Sequence, residues 1–121
     1  MSLGRFHALI RTHHITSRKK VAVLRKAADH FSVFAMLRVG GSPGIMYCKG
    51  SEDRVRGWVA AVHRLRYKDF RVISPPEPVG TLSALAEDKP GLVEVADVND
   101  FAAAMDQRAL SSWWKAAMEW S

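Results

Sequence analysis

The chain has a single cysteine, Cys48, so no disulfide can form within it. It also has no apolar run of the kind that heads a secretory leader. The two absences together point to a reducing intracellular compartment, nuclear or cytoplasmic. No apolar run approaches the roughly 18–20 residues that cross a bilayer, so a membrane-spanning helix and a membrane partner are not expected. Neither Gly-x-x-x-x-Gly-Lys nor Gly-x-Gly-x-x-Gly occurs, which removes the two commonest glycine-rich nucleotide loops. Cys-x-x-Cys and His-x-x-x-His are missing too, so no metal and no cofactor is expected. Acidic residues are scarce in the first part of the chain.

That scarcity is the strongest signal in the sequence. Residues 1–71 hold 15 of the 18 Lys and Arg but only 4 of the 12 Asp and Glu, whereas residues 72–121 hold 3 basic and 8 acidic residues. The net charges are 15 − 4 = +11 and 3 − 8 = −5, which sum to the overall +6. A basic face attracts polyanions and releases their counterions on binding, a physical route to nucleic-acid affinity. The same split also arises when an acidic end folds back on a basic one.

With 121 residues, 48% hydrophobic and 25% charged, the composition is that of one globular domain, large enough for a single core but not two. Phe6 to Thr12 is short and apolar and reads as a strand. Ser17 caps a helix to about Phe31, in which Val21, Leu24, Ala28 and Phe31 recur at helical spacing. Val33 to Val39 and Ile45 to Lys49 read as two strands. The breaker cluster Gly40-Gly41-Ser42-Pro43-Gly44 between them reads as a hairpin turn, since it joins two strands and not a strand to a helix. Ser51 caps a second helix with Glu52 and Asp53 in its first turn and Val55, Trp58, Val59, Val62 and Leu65 as its buried stripe. Tyr67 to Ile73 reads as a fourth strand, ended sharply by Ser74-Pro75-Pro76-Glu77-Pro78.

This order, β-α-β-β-α-β, predicts an α+β fold with a ferredoxin-like core over residues 5–74, an antiparallel sheet with both helices on one face. Residues 75–121 form an acidic, Trp-rich extension of the same single domain (1–121). There Thr81 to Asp88 reads as one or two helical turns and Gly91 to Ala96 as a short β-like segment. Asn99 or Asp100 is expected to cap one helix, and a last helix runs from about Leu110 to Trp120. The extension is expected to pack on the core, over the open sheet face or at its edge.

His13-His14-Ile15 follows the first strand, and Arg18-Lys19-Lys20 opens the first helix. Free backbone amides at a helix start beside cations make a phosphate-binding corner; the plain alternative is a solvated basic first turn. Cys48 reads as a small core residue. His63 sits mid-helix beside Arg64, and His7 and His30 stand alone, so no catalytic constellation is expected and the chain reads as non-enzymatic. Phe6 and Tyr47 are aromatics on strands, but alternation alone does not decide which face they share with RNA bases. The aromatic pair of an RNA recognition motif is not there.

Taken together, His13-His14-Ile15, Arg18-Lys19, the Gly41 to Ile45 turn, Gly50, and the helix from Trp58 through Arg66 resemble a known family. It is the C-terminal domain shared by the spliceosomal pre-mRNA-processing factor three and the RWD-domain-containing protein two group. The spacing from Val95 to Trp114 is similar as well. The resemblance implies a ferredoxin-like core and, by likeness to the splicing factor, a clamp on small nuclear RNA at a duplex and its single-stranded flank. On this reading Arg11, His13, His14, Arg18, Lys19 and Lys20 hold phosphates, and Lys49, Arg64 and Arg66 extend the surface. The competing expectation is a protein-interaction scaffold using the Trp-rich tail or a sheet edge.

Overall fold

The structure, a computed structural model, describes residues 4–120; residues 1–3 and 121 of the expected domain lie outside them. Strand β1 (Phe6–Thr12) leads to helix α1 (Arg18–Phe31), and β2 (Phe34–Arg38) turns into β3 (Gly44–Gly50). Helix α2 (Glu52–Arg64) and strand β4 (Arg71–Pro78) follow, then a single turn α3 (Thr81–Ala84), β5 (Gly91–Val95), α4 (Val98–Gln107) and α5 (Ser111–Ala117). The fold is α+β, built on one five-stranded mixed sheet in the order β4-β1-β3-β2-β5. β1 pairs antiparallel with β3 and β4, β2 antiparallel with β3, and β5 runs parallel to β2.

Local chemistry sets the ends of the first helix. The Ser17 hydroxyl accepts from the Lys20 amide at 3.2 Å, and Ser32 closes α1 in the left-handed region, the usual two ends of an isolated helix. Val21, Leu24 and Ala28 of α1 and Val55, Trp58, Ala61 and Val62 of α2 are buried. They pack on the sheet face presented by Ala8, Ile10, Ala35, Leu37, Met46 and Cys48. The Trp58 indole spans both helices and donates to the Leu24 carbonyl at 3.2 Å.

The opposite face carries a second apolar layer, contrary to the expectation of one core. Leu9, Phe34, Met36, Ile45 and Tyr47 meet Phe101 and Met105 of α4 and Leu110, Trp114 and Met118 around α5. Strand side chains alternate between faces, so one sheet serves two layers and a chain of this length covers both. The tail therefore both extends the sheet edge, through β5, and lies over the sheet's other face.

Three expected boundaries move. The fourth strand begins at Arg71 and runs through Pro75, Pro76 and Pro78 to its end. It is tolerated there because β4 is an edge strand whose register against β1 shifts at two points, and edge or bulged positions need no N–H. Residues 65–70 are a loop in which Arg66 and Asp69 are left-handed (φ 55° each). Helix α4 is capped by Asp97, whose carboxylate accepts from the Asn99 amide at 2.7 Å, ahead of the expected Asn99 or Asp100. The last helix ends three residues early, at Ala117.

Candidate nucleic-acid interface

One end of the sheet gathers the close of β1, the start of α1, the β2–β3 turn and the α2–β4 loop. Backbone bonds stitch these loops together. The His13 amide donates to the Lys68 carbonyl at 2.9 Å, its carbonyl accepts from the Gly44 amide at 3.2 Å, and the Ile15 carbonyl accepts from Gly40 at 2.9 Å. Ile15 is fully buried and anchors the segment. Gly44 is required opposite Thr12, because a Cβ there would collide with the Thr12 hydroxyl and with Ile15. His13 and His14 thus project from a fixed loop with their rings 4.7 Å apart.

Two cavities flank this pair. His14, Thr16, Ser17, Lys20, Arg66, Tyr67 and Lys68 surround one of about 240 Å³ at the N-terminus of α1. Lys20 Nζ lies 4.7 Å from the centre of the Tyr67 ring, a cation–π contact that orients it. Burial pushes the Tyr67 phenol up to about 12, so the ring stays neutral beside the cations. The second cavity, of about 500 Å³, includes Arg11, His13, Asp69, Phe70 and Arg71. A third hollow brings Arg11 and Arg71 beside Glu119 after α5. Arg11, Lys20, Arg66, Lys68 and Arg71 are five fixed cations against two carboxylates, Asp69 and Glu119, lining these spaces. A concave surface so lined concentrates anions. The hydroxyls of Thr12 and Tyr67, one on each main cavity wall, are buried without a hydrogen-bond partner among the described residues.

The expected site residues divide between this end and elsewhere. Arg11, His13, His14, Lys20 and Arg66 converge here. Lys19 is exposed on the first turn of α1 and Arg64 on the last turn of α2. Arg18 is diverted: its guanidinium makes a two-pronged pair with Glu94 of β5 at 2.7 and 3.0 Å, and Arg25 joins the same carboxylate at 2.6 Å. Hydrogen bonding to Arg18 holds the Glu94 carboxyl below its ordinary range. Lys49 is removed altogether. It points from the far end of β3, about 16 Å along the strand from Gly44, and is 5% exposed. Its Nζ donates to the carbonyls of Ser83 and Ala86 and to Asp88, so it is part of the tail's attachment. Lys68 and Arg71 were not among the expected residues, although the run Arg64, Arg66, Lys68, Arg71 is visible in the sequence.

Catalytic patterns spelled by the sequence do not assemble. Gly40-Gly41-Ser42-Pro43-Gly44 reads as Gly-x-Ser-x-Gly, but a nucleophile elbow needs a strand-to-helix turn, and here it joins β2 to β3. Ser42, His13 and Asp69 share a cavity wall, yet no hydrogen bond links them among the described residues, and His13 Nδ1 stands 3.6 Å from Asp69. His14-Ile15-Thr16 and His30-Phe31-Ser32 both spell His-x-Ser/Thr, the pattern of two-histidine phosphoesterases. They lie at opposite ends of α1, about 20 Å apart at 1.5 Å per residue. Cys48 is wholly buried, which pushes its thiol pKa up and suppresses the thiolate. Among the described residues no cluster of three or more His, Cys, Asp or Glu is arranged for a metal ion, and no helix is long and apolar enough to cross a membrane.

The strand aromatics resolve to opposite faces. Phe6 packs against the α1–α2 layer, whereas Tyr47 is fully buried beneath α5. Its hydroxyl meets His7 Nδ1 at 3.0 Å, and Trp113 stacks on the His7 ring at 4.1 Å. Burial lowers the His7 pKa to about 4, Glu77 opposing and Lys49 reinforcing the shift. At neutral pH the imidazole is uncharged, and its 3.8 Å approach to Glu77 is no ion pair. Trp114 is buried in the same layer, so much of the tryptophan surface of the tail is spent on packing.

No protein-family model matches the chain, and no curated protein sequence matches it significantly.

Proposed function

We propose that this is a non-enzymatic RNA-binding domain with a ferredoxin-like core, similar in role to the RNA clamp of the splicing-factor family named above. The observation that carries the reading is the convergence of His14, Lys20, Arg66 and Lys68 on the N-terminus of α1, next to Arg11, His13 and Arg71. Backbone amides of a helix start together with fixed cations suit phosphate oxygens. The βαββαβ order and the placement of α1 and α2 on one face support the core assignment. The sheet face under α4 and α5 is occupied by side chains, so the RNA lies across the loop end and not across the sheet.

The test is fluorescence anisotropy with a short RNA hairpin carrying a single-stranded flank, titrated from 50 to 200 mM salt. About four phosphate contacts give a log–log slope near −3 and roughly a 60-fold loss of affinity over that range. Binding that ignores salt, or none at low salt, refutes the reading.

A further inference from the structure

The charge around α1 leaves the cavity beside Arg11 and Arg71 without an assigned occupant. That space, about 500 Å³, has walls of mixed chemistry. Arg11 and Arg71 are cationic, Phe70 and Pro43 are apolar, Thr12 and Ser42 carry hydroxyls, and Asp69 is the only carboxylate among its lining residues. Phe70 is half-buried and braced by the His63 ring 5.3 Å away. The Asp69 side chain is 65% exposed and stands 3.6 Å from His13, beyond hydrogen-bond length, so its lone pairs are available.

We propose that this cavity receives one unpaired guanine nucleotide of the bound RNA, an inference that rests on the RNA-binding reading. The purine ring lies against Phe70 and Pro43, its Watson–Crick edge meets Asp69, and its phosphate is held by Arg11 and Arg71. An ionised carboxylate only accepts hydrogen bonds. Guanine alone presents two adjacent donors, N1–H and the N2 amino group, that match both carboxylate oxygens. Adenine and cytosine each set one amino group beside a ring nitrogen acceptor that faces the negative charge, and uracil sets one N–H between two carbonyls. Stacking on an aromatic ring tolerates any base; the choice of base therefore falls to Asp69. A bidentate contact discriminates by about 5- to 150-fold, and the exposure of Asp69 places this one near the lower end.

The experiment compares the RNA heptamers UUUGUUU, UUUAUUU, UUUCUUU and UUUUUUU by anisotropy at 50 mM salt. The guanine heptamer is expected to bind about five- to tenfold tighter than the others. In Asp69→Asn the preference is expected to collapse to less than twofold; asparagine is well tolerated at the left-handed φ of this position, so the fold is kept. Equal binding of all four by the native protein, or a guanine preference that survives Asp69→Asn, overturns the pocket while leaving RNA binding intact. No binding to any heptamer or to the hairpin RNA overturns both readings.

Discussion

Replacing Asp88 with alanine should be among the most damaging single changes where the tail is attached to the sheet. The carboxylate is 8% exposed and lies between two cations, Lys49 (side chain 4% exposed) and Arg108 (15%). One oxygen accepts from Lys49 Nζ at 3.1 Å and Arg108 Nε at 3.2 Å, and the other from Arg108 Nη2 at 2.7 Å. Its removal leaves the Lys49 ammonium with only the Ser83 and Ala86 carbonyls, an uncompensated buried charge that costs about 3–5 kcal/mol. That is a large share of the roughly 5–15 kcal/mol typical of a domain. Lys49→Met removes the cation but leaves Asp88 paired with Arg108, so its cost is the lost bonds to two carbonyls and one carboxylate, about 1–3 kcal/mol. Urea unfolding of both variants gives the comparison directly. A loss below about 1 kcal/mol for Asp88→Ala, or a larger loss for Lys49→Met than for Asp88→Ala, would mean that Asp88 does not balance a buried charge. Lys49→Met should also leave RNA affinity within about twofold of native at fixed salt, because the lysine faces the tail and not the basic end.

Other outcomes follow from the same geometry. His7 has a native pKa near 4 against 6.5 when unfolded. Between these values the unfolded chain binds the proton and the native one does not, so this contribution is intact above pH 6.5 and lost as pH falls toward 4, about 3 kcal/mol in all. His7→Gln, which keeps an acceptor for the Tyr47 hydroxyl, should flatten that part of the stability–pH curve in urea titrations; an unchanged slope would contradict the assignment. Gly57→Ala drives a methyl into the half-buried Phe31 ring between α1 and α2 and should cost about 1–2 kcal/mol net by thermal or urea unfolding, the overpacking outweighing the roughly 1 kcal/mol by which a helix favours alanine over glycine. A neutral effect would mean that the two helices pack less tightly than described.

Local patterns were legible in the sequence wherever periodicity and caps agreed. Val21, Leu24 and Ala28 with Ser17 define α1, and Val55, Trp58 and Val62 define α2, because a helix that packs on a sheet needs one apolar stripe. Tyr67 to Phe70 was expected to open the fourth strand because it leads straight into Arg71 to Ile73, although Tyr67 and Phe70 stand three residues apart and not the two of a strand. In fact two left-handed residues turn the chain there, and Tyr67 inserts beside α1 instead of pairing. The prolines of β4 read as a stop, since nothing local reveals that the strand lies at an edge. The candidate site was half visible. Cations near α1 are close in sequence, whereas Lys49 and Asp88 are 39 residues apart and Arg18 and Glu94 are 76 apart. Such long-range pairings withdraw a charge from the surface without leaving a local mark.

On the proposed reading, cations at one end of the sheet act as a unit in RNA binding, beyond what net charge alone would give. Two triple-alanine variants of equal charge separate the possibilities. One removes Lys20, Arg66 and Arg71 from the converging end; the other removes Arg18, Arg25 and Arg56, which are paired with Glu94 and Glu52. Salt-dependent anisotropy with the hairpin RNA should show the first variant's log–log slope shallower by about 2, at roughly 0.7 per lost phosphate contact, and the second's nearly unchanged. Equal losses in both variants, or none in the first, would mean that these cations do not act together on RNA.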